Sequence, residues 1–107
     1  MKQLVASRTG AGNTAVLPLD RAGWPSISVQ VVVNGTVNYT IQQTLDDPSD
    51  TSITPTWFDH PDTNLVAATA NKQGNYAFTP AAVRGVVNSG TGTITLTLLQ
   101  AGGGRMA

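Results

Sequence analysis

The sequence of 107 residues contains no cysteine and a single histidine, His60, and all six of its acidic residues are aspartates. Without cysteine, disulfides, thiol catalysis and cysteine-based zinc sites are excluded. A nucleophile network or a metal site is limited to one imidazole. Without glutamate, a glycosidase would need two suitably placed aspartates, and nothing marks such a pair. Because no Gly-x-Ser-x-Gly motif surrounds any serine either, we expect a protein that is not an enzyme and has no cofactor or metal.

Charged residues are scarce, and six basic residues balance the six aspartates, so the formal net charge is zero. That balance argues against nucleic-acid binding, which requires a basic stripe. No charged residue lies between Arg21 and Asp46, or between Arg84 and Arg105. A free monomer usually protects its strand edges with lysine or other charges, and here that protection is thin.

Two explanations fit this uncharged surface. Loops cover the edges of a neutral sandwich, or flat faces and edges are covered in an assembly. We favour the assembly and expect a homo-oligomer, a dimer or trimer, with uncharged strand faces meeting across a symmetry axis. Thr40 and Thr95 are predicted to lie on these outward polar faces.

Length and hydropathy predict one domain over residues 1–107, with a frayed tail over 102–107. The opening MKQLVASRTG has one lysine and an apolar run of three residues, too short for a signal peptide. No run of apolar residues approaches the length of a membrane span.

The strongest local signal runs from Ser26 to Thr44. Apolar residues alternate with polar ones on both sides of Asn34-Gly35, a pattern typical of a β-hairpin. A two-residue turn would place the two apolar sets on opposite faces, because side chains alternate strictly along a strand. We therefore predict a three-residue loop or a bulge that sets Val31 opposite Tyr39 and Val29 opposite Ile41.

A second hairpin is predicted to join residues 82–88 to residues 93–100 through a four-residue loop, which sets Val87 opposite Ile94, Gly85 opposite Leu96 and Val83 opposite Leu98. Short strands are also expected at 2–7, 14–19 and 76–79, turns or loops at 8–14 and 72–75, and a helix, strand or loop at 64–71. Together these elements predict an all-β, jelly-roll-like sandwich of seven or eight short antiparallel strands. The predicted core comprises Val29, Val31, Tyr39, Ile41, Val83, Val87, Ile94, Leu96 and Leu98.

Three polar or aromatic clusters are candidates for a site. Asp59, His60 and Asp62 are close enough in sequence to bind a metal, but a turn with aspartates accepting backbone N–H groups is simpler. Asp46, Asp47 and Asp50 lack the glycine and glutamate of a calcium loop, so Asx turns are favoured. Four aromatic residues, Trp24, Tyr39, Trp57 and Tyr76, suit core and rim packing better than a sugar-binding platform.

Two segments resemble a family of small structural proteins from tailed bacteriophage particles. They are SVQVVVNGTVNYTIQQTLDDPSD, and TWFDHPDTNLVAATANKQGNYAFTPAAVRGVVNSGTGTITLTLLQAG, which together cover about two-thirds of the chain. The members are similar to capsid cement or decoration proteins with sandwich or jelly-roll domains. No catalytic residue comes with this resemblance, and Gly85 stands where a large β-branched residue would be expected.

The resemblance implies a virion structural protein that binds the outer capsid shell and stabilises it. Its expected partners are the major capsid protein and further copies of itself, with no nucleic acid and no membrane. Its expected location is the capsid surface, after assembly in the bacterial host cytoplasm. The alternative is a tail- or fibre-associated domain that recognises host surface glycans, because closing segments like VRGVVNSGTGTITLT also occur in such sandwiches.

Overall fold

A computed structural model describes residues 2–19, 27–47, 50, 52–76 and 80–100 of the chain. These residues form nine strands and one short 3-10 helix, Thr63–Leu65. The strands are β1 (Lys2–Thr9), β2 (Gly12–Asn13), β3 (Leu17–Pro18), β4 (Ile27–Asn34), β5 (Val37–Thr44), β6 (Phe58–Asp59), β7 (Lys72–Tyr76), β8 (Ala82–Gly90) and β9 (Thr93–Gln100).

The strands form two antiparallel sheets. Sheet A has the order β1-β9-β4-β7; sheet B has the order β2-β8-β5-β6, with β3 also paired to β8. If β2 and β3 are counted as one interrupted strand, this is the strand order of an eight-stranded jelly roll, in which a long hairpin of strands rolls up into two sheets. The predicted all-β, jelly-roll-like sandwich is confirmed. Every link between consecutive elements of this roll passes from one sheet to the other, except the link from β5 to β6.

The predicted hairpin around Asn34-Gly35 is wrong. β4 pairs with β9 and β7 in sheet A, whereas β5 pairs with β8 and β6 in sheet B. Val31 and Tyr39, predicted to be neighbours in one sheet, therefore lie in opposite sheets, as do Val29 and Ile41. A bulge does occur in this region, between Asn38 and Tyr39, but it belongs to the pairing of β5 with β8. The connection between β4 and β5 carries the chain across the core, so the two apolar strand faces meet through their side chains.

The second predicted hairpin is wrong for the same reason. β8 pairs with β5, and β9 lies between β1 and β4. Gly85 is opposite Ile41, and a Cβ atom at this position would lie 3.0 Å from Ile94 Cδ1 in the other sheet. The match of glycine to a large residue is therefore present, but with Ile41 and Ile94 rather than with Leu96.

The two sheet-crossing connections, residues 34–37 and 90–93, are here called the two arches, and they lie side by side. Asn34 pairs with Thr93, and Val37 pairs with Gly90. The Gly92 N–H donates to the Thr36 carbonyl oxygen at 2.9 Å. Backbone therefore packs directly against backbone where the chain crosses between the sheets.

The core lies between the sheets, and its predicted composition is confirmed. All nine predicted core residues expose 2% or less of their surface. Further buried side chains outside the predicted list include Ile27 and Val37, which belong to the same alternation, and also Leu65 and Tyr76. The alternation thus predicted which way each side chain points, although it did not predict which strands are neighbours.

Several short segments differ from the prediction. Residues 72–75, predicted as a turn, belong to β7, because pairing with β4 outweighs the poor strand propensity of this polar sequence. Residues 12–13, predicted within a loop, pair with β8. Pro18 lies on an edge strand, as expected for a residue without an N–H donor. Trp24, the predicted strand residues 77–79 and the predicted tail 102–107 lie outside the described residues.

Candidate functional site

The outer face of sheet A, defined as the side of its four strands that points away from sheet B, is built from alternate residues. None of these residues is charged, and all are exposed or half-buried. Because side chains alternate across a strand, pairing between the strands sets these residues in rows across the sheet. The face comprises Gln3, Val5, Ser7 and Thr9 of β1, Leu99, Thr97, Thr95 and Thr93 of β9, Ser28, Gln30, Val32 and Asn34 of β4, and Gln73 and Asn75 of β7.

Charged side chains on the strands of sheet A belong to the alternate set of positions. Arg8 and Lys72, whose side chains the structure describes, alternate with the outward residues. The Arg8 guanidinium turns to the adjacent loop, where it donates to the carbonyl oxygens of Gly10 and Ala11. The positive charge of Arg8 is therefore used locally and is not presented on the outer face.

Polar side chains on this face form hydrogen bonds between strands. The hydroxyls of Thr9 and Thr93 share a hydrogen bond of 2.8 Å, and Ser7 Oγ lies 3.4 Å from Thr95 Oγ1 as a weaker donor. On the other side of the face, the Gln73 amide donates to Gln30 Oε1 at 3.2 Å. Each hydroxyl and amide retains further donor or acceptor capacity after these contacts. The face is thus internally ordered and can still form hydrogen bonds with another surface.

Three large apolar side chains interrupt the polar rows. Val5 is 54% exposed, Val32 is 43% exposed and Leu99 is 38% exposed. Val5 pairs with Thr97, and Val32 pairs with Thr95, so the two valines flank β9 on opposite sides. A surface of apolar and uncharged polar residues resembles the centre of a protein–protein interface, from which charged residues are depleted.

A shallow groove of about 380 Å³ crosses this face. Glutamines, serine and threonine are most of its lining residues, and Leu99 lies among them, between Gln3 and Ser28. Small-molecule sites are mostly apolar and enclose much of their ligand. The groove therefore suits contact with another surface better than enclosure of a small molecule.

The outer face of sheet B differs because it carries charge and is partly covered. Gln42 connects Asp59 to Arg84, since its amide donates to Asp59 Oδ1 at 3.0 Å and its Oε1 accepts from Arg84 at 2.9 Å. Arg84 lies 4.3 Å from the centre of the Trp57 ring, a cation–π contact. Partial burial lowers the pKa of Arg84.

Thr40 was predicted to lie on an outward polar face, but it is only 6% exposed. Its hydroxyl accepts hydrogen bonds from the Ala67 N–H and the Asn88 amide, each at 3.0 Å. Residues 66–68 cover it, because Ala68 forms an isolated bridge to Tyr39. Thr95, the other predicted position, is half-buried and lies at the middle of the outer face of sheet A.

His60 and Asp62 form a turn that follows Asp59, the last residue of β6. Asp62 Oδ1 accepts the Asn64 N–H at the start of the 3-10 helix, and His60 Nδ1 accepts the Asp62 N–H, both at 2.9 Å. The His60 ring is buried against Tyr76, with 4.4 Å between ring centres. Burial lowers the pKa of His60, an effect partly offset by the Asn75 backbone and by Asp62.

His60 Nε2 is buried and makes no hydrogen bond of ordinary geometry among the described residues. In the same part of the chain, no group of three or more histidine and acidic side chains comes together as a set of metal ligands. A single imidazole nitrogen does not make a metal site. His60 and Asp62 are explained by the turn they form, and Asp59 by the hydrogen bond it accepts from Gln42.

Asp46 and Asp50, in the acidic segment, also accept local hydrogen bonds. Asp50 accepts hydrogen bonds from the side chain and the backbone of Ser52, and both bonds lower the pKa of Asp50. The Asp46 carboxylate accepts the Thr56 N–H at 2.7 Å, which ties Asp46 to the residues that precede β6. Asx-turn geometry, the favoured interpretation of the sequence, is present at Asp50.

The aromatic candidates are dispersed. Tyr39 and Tyr76 are buried, and burial raises the pKa of Tyr39 to about 12. Their hydroxyls donate to the Ala70 carbonyl and to Gln43 Oε1 respectively. Trp57 packs under Arg84, and Trp24 lies outside the described residues. The three described members thus serve packing, and no platform for a sugar is formed by them.

Comparison of the chain with protein-family models, curated proteins and solved structures returned no match. Among the described residues, no helix has the length and hydropathy needed to cross a bilayer. The uncharged outer face of sheet A is the most extensive candidate surface. Alternation in the sequence predicted that Thr93, Thr95 and Thr97 point outward. No local pattern in the sequence indicates that β1 and β4 lie on either side of them.

Proposed function

We propose that this chain is a non-enzymatic structural protein of a virus particle, a cement or decoration protein that binds the outer capsid shell. The uncharged outer face of sheet A is the observation that carries this proposal, and the resemblance of two-thirds of the sequence to phage structural proteins supports it. The jelly-roll fold is shared by viral capsid domains and by lectins, so it is compatible with this function without specifying it.

An uncharged surface suits assembly for an energetic reason. Burying a charged side chain requires a partner that replaces its hydration, whereas hydroxyl and amide groups need only ordinary hydrogen bonds. Val5, Val32 and Leu99 add apolar area that is removed from water on contact. Binding through such a surface is expected to depend little on salt, because no exposed ion pair has to form.

Stabilisation of the shell follows from mass action. A protein that binds the assembled shell but not its dissociated subunits stabilises the assembly by about 2.7 kcal/mol per site at a free concentration one hundred times the Kd. The protein therefore needs no chemistry of its own, and its effect grows with occupancy.

The test is an inventory of purified particles by mass spectrometry, with the copy number compared with that of the major capsid protein. Hundreds of copies per particle support a capsid protein. A handful of copies, together with binding to host surface glycans, would instead support the tail- or fibre-associated alternative. Complete absence from particles would contradict both forms of the proposal.

A second experiment adds purified protein to shells that lack it. Thr95→Lys places a charge in the middle of the outer face of sheet A, and Ser89→Lys is the matched control, an exposed serine on a strand of sheet B. We expect Thr95→Lys to lose occupancy and Ser89→Lys to retain it. Equal occupancy of both variants would show that the outer face of sheet A is not needed for binding.

A further inference from the structure

We infer that the outer face of sheet A is a two-fold contact between two copies of this chain. This inference rests on the proposed function and names a second copy as what covers this surface: the chain then binds the shell as a dimer, and a variant that loses the dimer loses its occupancy. The surface is compatible with its own copy, because it contains apolar residues and uncharged polar residues and no charged side chain.

Self-complementarity is the chemical basis of the inference. In a two-fold interface the same patch serves both copies, so each residue must fit against a patch identical to its own. Serine and threonine hydroxyls and glutamine and asparagine amides both donate and accept hydrogen bonds, so they pair with their own kind. Lysine, arginine or aspartate near the axis would instead meet the same charge. No described outward residue of sheet A is charged, so none of them would meet a like charge across the axis.

The arrangement of the two central valines also fits a two-fold axis. Val5 and Val32 lie at diagonally opposite corners of a block of paired residues whose middle is the β9 segment from Thr95 to Thr97. An axis that lies in the plane of the face, between Thr95 and Thr97 and perpendicular to the line joining the valines, brings Val5 of each copy onto Val32 of the other. Two apolar contacts then flank a central group of threonines, Thr95 and Thr97 of each copy.

The size of the face predicts a weak complex. Four strands spaced about 4.8 Å apart, each up to eight residues long, give a footprint of roughly 500 Å². Two such footprints bury on the order of 1,000 Å² or somewhat more, the lower end of the range for specific interfaces. We therefore expect a reversible dimer that dissociates on dilution.

Sedimentation equilibrium of the full chain, without capsid, measures this directly. Over about 1 μM to 1 mM, we expect a monomer–dimer equilibrium whose Kd falls inside the range. Raising the salt concentration should change this Kd by less than about threefold, because no ion pair is buried. Thr95→Lys should weaken the dimer by at least about tenfold. Thr95→Ser and the control Ser89→Lys should leave it unchanged.

A urea-unfolding curve for each variant identifies any loss of dimer that follows from loss of fold. If Thr95→Lys does not fold, Gln30→Lys replaces it, because Gln30 is exposed on the neighbouring strand of the same face. A wild-type chain that stays monomeric at about 1 mM would overturn the inference. So would a folded Thr95→Lys or Gln30→Lys variant that dimerises as tightly as the wild type.

The outcomes separate this inference from the proposed function. A monomeric chain whose Thr95→Lys variant loses capsid occupancy means that the face binds the shell itself, so the inference fails and the proposed function stands. If the chain dimerises through this face but is absent from particles, the inference stands and the proposed function fails.

Discussion

Substitution of Gly90 by alanine tests the contact between the two arches. Gly90 has a φ of 105°, a conformation that L-residues rarely adopt. A Cβ atom there would clash with the Thr36 carbonyl oxygen and would lie 2.8 Å from Val37 Cα. Both neighbours are backbone atoms of the first arch, so neither can move without displacing a strand. Gly10 is the matched control, because its φ is 76° and nothing lies within 4 Å of its Cβ position.

Gly90→Ala differs from Gly10→Ala by a larger backbone strain and by a steric clash. Gly10→Ala should cost about 1–2 kcal/mol for the left-handed backbone. Gly90→Ala carries about 1–3 kcal/mol of backbone strain and a further 1–3 kcal/mol or so for the clash, about 2–6 kcal/mol together. Since the whole domain is expected to be stable by roughly 5–15 kcal/mol, the Gly90 variant should lose a large part of its stability.

Equilibrium unfolding in urea measures the difference. With an m-value of about 1–3 kcal/mol per molar, we expect the midpoint of Gly90→Ala to fall clearly below that of Gly10→Ala. If the second connection were a hairpin, Gly90 would sit in an open turn, and the two substitutions would cost the same. Midpoints that agree within error would therefore refute the side-by-side arches.

Three further predictions concern the core, the buried histidine and the covered face of sheet B. Leu96→Ala should lower the free energy of unfolding in urea by about 2–5 kcal/mol, because Leu96 is fully buried. A loss below about half a kcal/mol would mean that the Leu96 side chain points to solvent and not into the core. The pKa of His60 is lowered in the folded state, so the unfolded chain takes up the proton first as the pH falls. The contribution of neutral His60 to stability is therefore complete above pH 6.5 and declines below it. His60→Gln should flatten the fall in Tm between neutral and mildly acidic pH. An unchanged profile of Tm against pH would contradict the lowered pKa of His60. Thr40→Lys should destabilise the fold in the same urea assay, because it leaves the Ala67 N–H without its acceptor and removes one of the two acceptors of the Asn88 amide; wild-type stability would show that Thr40 is not covered.

The side-chain directions were predictable because alternation is a local property. Val29, Val31, Ile94 and Leu96 all point into the core, as the sequence pattern indicates. Strand pairing is a property of distant segments, and it could not be predicted in the same way. Asn34-Gly35 is compatible both with a tight hairpin and with a connection that crosses between sheets.

One local signal did favour the crossing. A tight turn at Asn34-Gly35 places the two apolar sets on opposite faces of a hairpin, and the predicted loop or bulge was needed only to correct this. An arch needs no such correction, because its two strands face each other across the core through their apolar side chains. The candidate surface depends on the same pairing, since Ser7 and Thr95 become neighbours only when β1 joins β9.

The placement of β9 between β1 and β4 has a consequence for how the protein folds. Ser7 and Thr95 are 88 residues apart in the chain, yet they are adjacent in sheet A. Until Thr93–Gln100 has been synthesised, β1 has no partner in its sheet, and β4 has only β7. A nascent chain therefore cannot complete sheet A segment by segment on the ribosome. Because distant pairings slow folding, this sandwich should form late and in one cooperative step.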